Sequence, residues 1–112
     1  TSEERMQNEL LINASINDTI VKYAQNAKEA GLDGVVCSPL EAGMVKENCS
    51  KAFMTVTPGV RFADGDVGDQ VRVTTPAKAK EIGSDYIVVG RPITASDDPV
   101  SAYRRCVKEF VG

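Results

Sequence analysis

The chain has 112 residues, enough for one domain or part of one, with 42% hydrophobic and 26% charged residues as in an ordinary globular protein. Its net charge of −3 argues against a nucleic-acid-binding surface, which usually carries a basic excess. The sequence contains no histidine, which excludes imidazole acid–base catalysis, Ser-His-Asp and Cys-His sites and His-ligated metals.

The sequence also bears on compartment. No apolar stretch approaches the roughly 18 residues of a membrane span, and no charged-then-apolar leader opens the chain. The three cysteines, Cys37, Cys49 and Cys106, are odd in number and form no CxxC pair. We therefore expect a cytoplasmic protein with free thiols and no membrane partner.

Two helices are expected at the amino-terminal end. A short polar helical segment covers the first 15 residues, where the only apolar contacts come from Met6, Leu10 and Leu11. A clearer helix runs over residues 16–30, with Ser15 as its N-cap and Gly31 as the left-handed residue that ends it. Its apolar face at helical spacing consists of Ile16, Ile20, Ala24 and Ala27.

A strand and a helix follow. The apolar run at 34–37 is rich in β-branched residues and too short for a helix, which predicts a buried strand. The next four residues, 38–41, have the Ser-Pro-x-Glu pattern of a capping box and predict a helix through about Glu47. Leu40 and Met44 are expected to face the core.

The same order of strand and helix then recurs. A strand at 53–56 ends in Thr57-Pro58-Gly59, a polar loop covers 60–69, and Thr75-Pro76 begins a helix that stops at Gly83. A third strand at 86–89 ends in Gly90-Arg91-Pro92, and Asp98-Pro99 begins the last helix. The apolar stripe expected on that helix is formed by Val100, Tyr103, Val107 and Phe110.

This alternation predicts an α/β fold with three parallel strands. Three strands cannot close a barrel, and both outer strands would leave unpaired edges. A (β/α)8 TIM barrel needs about 200 residues or more, so we interpret residues 1–112 as roughly half of one. The remaining part would come from another chain, or was removed from a longer protein.

Ligands of parallel α/β folds bind at the carboxyl ends of the strands. Gly90-Arg91 lies at such an end, where glycine lets a ligand oxygen approach the backbone and arginine matches phosphate geometry. This pair predicts a phosphate site, and the alternative is a turn glycine followed by a solvated arginine. Ser38 could bind a polar ligand or only cap a helix, while Arg61 and Gln70 could contact an anion or be exposed loop residues.

Other groups at this edge are less informative. Asp64, Asp66 and Asp69 lack the longer ligand set of a calcium loop, so no metal site is predicted. No lysine and no strand-borne carboxylate falls at a strand tip. The edge therefore has groups suited to phosphate but no convincing acid, base or nucleophile.

Four segments in register resemble the bacterial form of the orotidine 5'-phosphate decarboxylase family across essentially the whole chain. They are residues 31–38, 56–61, 68–70 and 85–94, including the runs Val56-Thr57-Pro58-Gly59-Val60-Arg61 and Val89-Gly90-Arg91-Pro92. The resemblance is to the C-terminal half of a (β/α)8 barrel. It implies decarboxylation of orotidine 5'-monophosphate (OMP) to uridine 5'-monophosphate (UMP), without metal or organic cofactor, by a homodimer.

The resemblance also implies roles for individual residues. Gln70, Gly90 and Arg91 would hold the 5'-phosphate, Ser38 would hydrogen-bond the pyrimidine, and Pro58 would line the base pocket. Arg61 matches a ligand-contacting arginine of many bacterial members, and the loop at 60–69 would close over the phosphate. The catalytic Asp and Lys array of the family lies in the N-terminal half, so no catalytic residue is assigned here and the chain is expected to be inactive alone.

Two other interpretations stay open. One is a sugar-phosphate decarboxylase or aldolase of the same barrel superfamily, although Thr57-Pro58-Gly59 and Asp69-Gln70 fit the nucleotide enzyme better. The other is a half-barrel that only associates, either with itself or with the missing N-terminal half.

Overall fold

The computed structural model describes residues 2–63 and 74–112 of the chain. Short helices alternate with three short strands over these residues. None of the described helices is both long and apolar enough to cross a membrane. In chain order the elements are α1 (Glu3–Glu9), α2 (Ile16–Glu29), β1 (Gly34–Val36), a 3-10 turn (Pro39–Glu41), α3 (Ala42–Asn48), β2 (Met54–Thr57), α4 (Pro76–Ile82), β3 (Tyr86–Ile87), α5 (Arg91–Thr94) and α6 (Pro99–Phe110).

The three strands form one parallel sheet in the order β1-β2-β3. Val36 pairs with Val56, and Val56 pairs in turn with Tyr86, so these three side chains lie on the same face of the sheet. The predicted parallel α/β architecture is therefore confirmed. Each strand is displaced or shortened relative to its prediction, most of all β3, which ends at Ile87 rather than Val89.

The local signals that predicted the helix ends act as expected. Ser15 and Thr75 accept hydrogen bonds from the backbone N–H three residues later, at the starts of α2 and α4. Gly31 and Gly83 have φ values of 92° and 99°, the left-handed conformation in which glycine ends a helix without steric cost. Asp98 caps α6 through the N–H of Ser101.

Helices cover one face of the sheet. Ala24 of α2, Val45 of α3 and Phe53 form a buried cluster against which Val35 and Ile20 pack. A second cluster joins Phe62 to Ala102 and Cys106 of α6. This layer holds the strands in place because it removes apolar surface from water, at about 25 cal/mol per Å².

The opposite face of the sheet is open. Val36 is 72% exposed, and Met54, Tyr86 and Val88 are exposed as well. The prediction of a buried strand at 34–37 is thus wrong for Val36, because no described element packs on that side of the sheet. A contiguous exposed apolar face of this kind is typical of a surface that another chain or segment covers.

Several predicted apolar contact positions are also wrong. Leu40 lies in the 3-10 turn rather than in a regular helix and is 60% exposed, whereas Ala42 and Val45 of α3 are buried. On α6 the predicted stripe of Val100, Tyr103 and Val107 is exposed, with Phe110 half-buried. The small residues Ala102 and Cys106 face the core instead, because the close packing of α6 against α4 and α5 favours small side chains there. In the first segment, Met6 is buried while Leu10 and Leu11 are exposed.

A polar network ties the beginnings of β2 and β3 together. The Lys46 ammonium lies 2.6 Å from the Asp85 carboxylate, which also accepts a 2.9 Å hydrogen bond from the Thr55 backbone N–H. Burial acts to raise the pKa of Asp85, but the hydrogen bonds from Lys46 and Thr55 outweigh it, so the pKa lies below its ordinary value. The ionised form of Asp85 therefore holds α3, β2 and β3 together at the amino ends of the strands.

Among the described glycines, Gly34 is the one whose surroundings tolerate a side chain least. A Cβ atom there would lie 2.8 Å from the carbonyl carbon of Met54 and closer still to its carbonyl oxygen. We expect Gly34→Ala to push β1 away from β2 and to lower the free energy of unfolding by about 3 kcal/mol, measured by urea denaturation. Gly43→Ala is the matched control, because its Cβ would meet only the carbonyl oxygen of Ile82 at 3.9 Å and alanine favours a helix. A Gly34→Ala chain as stable as the parent would contradict this packing.

Candidate functional site

The carboxyl ends of the three strands meet at one edge of the sheet. Backbone hydrogen bonds of 3.0 Å from Cys37 to Val56 and from Val88 to Thr57 extend the pairing to the ends of the strands. Pro58 follows β2 directly, whereas Ser38 lies two residues after the last residue of β1 and Gly90 lies three residues after the last residue of β3. The edge therefore combines backbone and side chains from three separate strand-to-helix connections.

Arg61 and Arg91 line one cleft at this edge, although they belong to different connections. The cleft has a volume of about 800 Å³, which is within the range of small-molecule sites. Other lining residues come from the segment after β2, from α5, from the turn after it and from the first two turns of α6. They are Phe62, Pro92, Ala95, Ser96, Asp97, Asp98, Ser101, Ala102 and Arg105.

The backbone fixes the position of each arginine. The N–H of Arg61 donates a 3.0 Å hydrogen bond to the carbonyl of Thr74, and Val60 forms a parallel bridge with Thr74. Arg91 is the first residue of α5, a short helix that the sequence patterns did not predict. The sequence did contain a signal for α5, since Gly90 precedes this helix and Pro92 lies in its first turn.

Gly90 leaves space in front of its backbone. A Cβ built on this residue would meet no atom within 4 Å. The glycine is thus not required by packing within the described residues, and the space in front of its backbone is open, although Gly90 itself is not among the residues that line the cleft. This is the arrangement expected where a ligand oxygen approaches the main chain.

Ser38 and Pro58 lie at the same edge but are not among the residues that line the cleft. Ser38 is half-buried, and its hydroxyl accepts a 3.4 Å hydrogen bond from the N–H of Leu40. The capping role predicted for Ser38 is therefore confirmed, although it caps a 3-10 turn. Pro58 is exposed. Gln70 and most of the loop predicted at 60–69 lie outside the described residues, so their proposed contact with phosphate stays a prediction.

The cleft also contains acidic groups. The Asp98 carboxylate accepts hydrogen bonds from the N–H and the hydroxyl of Ser101 at 3.2 Å and 2.8 Å. These bonds hold the pKa of Asp98 below its ordinary value, so it is ionised at neutral pH and directed at the first turn of α6. Among the described residues, three guanidinium groups and two carboxylates line the cleft, and one of the guanidinium groups, that of Arg105, is paired with Glu109. Arg61 and Arg91 are therefore the groups here that suit an anion.

Phe62 and Arg105 were not singled out from the sequence as site residues. The guanidinium carbon of Arg105 lies 4.0 Å from the centre of the Phe62 ring, and its Nε donates a 2.7 Å hydrogen bond to Glu109. In the sequence, Arg105 and Glu109 have the spacing of an ordinary solvated ion pair on a helix. Phe62 follows Arg61 directly, and this adjacency was the only available signal.

The three cysteines are free thiols. Burial, followed by the nearby Glu41, raises the pKa of Cys37, and burial with Glu109 raises that of Cys106. Both are therefore protonated at neutral pH, the form that is a poor nucleophile. Within residues 2–63 and 74–112 no group of three or more Cys, Asp or Glu side chains is arranged to hold a metal ion, and Asp64, Asp66 and Asp69 lie outside these ranges.

Comparison with known proteins identifies the family of the chain. The model of the "Orotidine 5'-phosphate decarboxylase / HUMPS family" matches residues 1–106. The chain belongs to this family. The resemblance inferred from the sequence motifs is therefore confirmed, and so is the parallel α/β barrel architecture to which the three strands belong.

Individual members of the family agree along the whole chain. The chain is 53% identical over 112 residues to an orotidine 5'-phosphate decarboxylase of Bacillus caldolyticus and 49% identical to one of Geobacillus sp. strain WCH70. The crystal structure of orotidine 5'-phosphate decarboxylase from Lactobacillus acidophilus superposes with a TM-score of 0.85, at 41% identity over 99% of this chain. The chain covers 46% and 47% of those two curated relatives and 45% of the crystallised chain, so it spans about half their length.

Proposed function

We propose that this chain supplies the phosphate- and pyrimidine-binding half of an orotidine 5'-phosphate decarboxylase, the enzyme that converts OMP to UMP and CO2 in pyrimidine biosynthesis. Membership of the family and the identity of about 50% to decarboxylases support the reaction. The observation that carries the binding role is the cleft that Arg61 and Arg91 share. Two guanidinium groups from separate connections suit the two negative charges of a phosphomonoester.

The other site residues have distinct roles in this proposal. Arg91 and the open backbone of Gly90 bind the phosphate, with Gln70 reaching the phosphate and the pyrimidine and Arg61 adding a further contact. The exposed ring of Pro58 lines the base pocket. The Ser38 hydroxyl hydrogen-bonds the base, and for this it releases or shares its 3.4 Å contact with Leu40, which is long for a hydrogen bond and so costs little to give up.

The mechanism assigned to the complete enzyme is differential binding. Contacts with the remote phosphate supply binding energy that is used at the reacting carbon. Charged groups arranged in advance then stabilise the carbanion that forms as CO2 leaves. This chain supplies the first contribution, while the Asp and Lys array that the family resemblance assigns to the N-terminal half supplies the second, so we propose that the chain alone is inactive.

The missing half-barrel is the partner that this proposal requires. The open sheet face around Val36 and Tyr86 supports a complementary set of strands on that side, and so do the outer edges of β1 and β3, which pair with no other described strand. The same surface supports the second candidate function, a half-barrel that only associates. A homodimer of complete barrels and a cytoplasmic location stay predictions.

Calorimetric titration of the chain with UMP distinguishes the decarboxylase function from a sugar-phosphate enzyme and from a half-barrel that only associates. Binding of UMP with weaker binding of uridine is expected, because the phosphate contacts the cleft. Competition by ribose 5-phosphate as effective as that by UMP would favour a sugar-phosphate enzyme. Equal binding of UMP and uridine, or none of either, would contradict the proposed site and leave association as the function.

A further inference from the structure

Phe62 links the backbone that carries Arg61 to helix α6. Its side chain is 8% exposed and lies in one buried cluster with Ala102 and Cys106, against which Val89 and Ile93 also pack. Val60, on the other side of Arg61, is 1% exposed. Arg61 is therefore held between two buried neighbours, and its backbone is tied to Thr74 by a hydrogen bond.

Arg105, which also lines the cleft, contacts the ring of Phe62. Its guanidinium lies over the Phe62 ring at 4.0 Å, a distance at which the cation is attracted to the face of the ring. The 2.7 Å hydrogen bond from its Nε to Glu109 holds the guanidinium as well. Although Arg105 lines the same cleft as Arg61 and Arg91, its charge is thus engaged with the protein.

We propose that Phe62 and Arg105 are positioning residues for the anion site: the stack between them holds the 60–62 segment on α6, and so keeps Arg61 beside Arg91. This inference rests on the proposed function, because it takes the cleft to be a phosphate site. The guanidinium of Arg105 carries the same charge as that of Arg61. Because the stack holds the Arg105 guanidinium on the Phe62 ring, it does not displace Arg61 from the ligand. Phe62 and Arg105 act through Arg61 and do not contact the phosphate themselves.

The first test needs no ligand. Phe62→Leu keeps an apolar side chain in the cluster but removes the ring face, and Arg105→Gln removes the cation. We expect both variants of the full chain to raise the hydrogen-exchange rate of the Arg61 amide by roughly tenfold, because local opening governs exchange. Arg105→Lys, which keeps a cation over the ring, should restore slow exchange. Unchanged exchange at Arg61 in Phe62→Leu would overturn the proposal.

The second test measures UMP affinity by calorimetry. Phe62→Leu and Arg105→Gln should each weaken binding roughly threefold to tenfold, the effect of losing one cation–π contact. In an Arg61→Ala background the same substitutions should have no further effect, whereas in an Arg91→Ala background they should still weaken binding. Equal losses in all backgrounds would overturn the positioning role.

Arg104→Gln is the matched control, since it removes the same charge from an exposed neighbour on α6. If it weakens UMP binding as much as Arg105→Gln does, the effect is one of overall charge and the proposal is wrong. A parent chain that binds no UMP would count against the proposed function, while the exchange rate of the Arg61 amide would still decide whether Phe62 and Arg105 hold this segment.

Discussion

Arg91→Ala is expected to weaken the binding of UMP to the chain by about 100-fold, the loss that corresponds to about 3 kcal/mol of charge-assisted hydrogen bonds. Arg91 is the first residue of α5, where its position is set by the helix, and it lines the cleft together with Arg61. A guanidinium can donate two parallel hydrogen bonds to phosphate oxygens, which alanine cannot replace. The dissociation constant from calorimetry at one fixed salt concentration measures the effect.

Two further variants make the result specific. Arg91→Lys should fall between the parent and Arg91→Ala, because an ammonium keeps the charge but lacks the planar fork. Arg104→Ala removes an exposed arginine of α6 that is not among the cleft residues, and it should change the affinity less than about twofold. If Arg91→Ala binds UMP as the parent does, the phosphate lies elsewhere and the proposed site is wrong.

Decarboxylase activity should appear when the chain is mixed with the complementary segment of a relative, and the chain alone should form no UMP. The chain matches 46% of the Bacillus caldolyticus enzyme, so the part of that enzyme outside the match, produced separately, is the natural partner. The expected cause is burial of the open sheet face, including Val36, against the strands of the added segment. UMP formation from OMP, followed by absorbance, measures the gain.

A charge on the open sheet face gives the control for this experiment. Val36→Asp should lower the restored activity by about 100-fold, because an unpaired carboxylate would be buried in the joint barrel at a cost of several kcal/mol. Leu11→Asp places the same charge at an exposed residue outside the sheet, whose positive φ of 59° aspartate tolerates, and should leave the activity unchanged. UMP formation by the chain alone at the rate of the mixture would contradict the division of the site between two halves.

The features that the sequence predicted well depend on local chemistry. Caps such as Ser15 and Thr75 and the left-handed residues Gly31 and Gly83 act on their own neighbouring backbone, so a short motif is enough to identify them. The placement of Gly90 and Arg91 at the edge of the sheet follows from the direction of parallel strands. It needed only the correct order of strands and helices along the chain.

The features that the sequence missed depend on what packs against each element. The periodicity of α6 indicated a core stripe through Tyr103 and Val107, yet α4 and α5 pack on the side of Ala102 and Cys106. A helix with apolar residues on two sides has no periodicity that says which side faces this chain. The contact of Arg105 with Phe62 joins residues 43 positions apart, which neither spacing nor composition indicates.

The ion pair of Lys46 and Asp85 lies at the end of the sheet opposite to the arginine cleft. It joins α3 to the starts of β2 and β3, whereas the cleft is built from residues that follow the strands. The ion pair therefore shares no residue with the lining of the cleft, whereas the buried cluster of Phe62 and Ala102 does. Substitutions of the two arginines that change ligand preference are therefore expected to leave the contact between Lys46 and Asp85 intact.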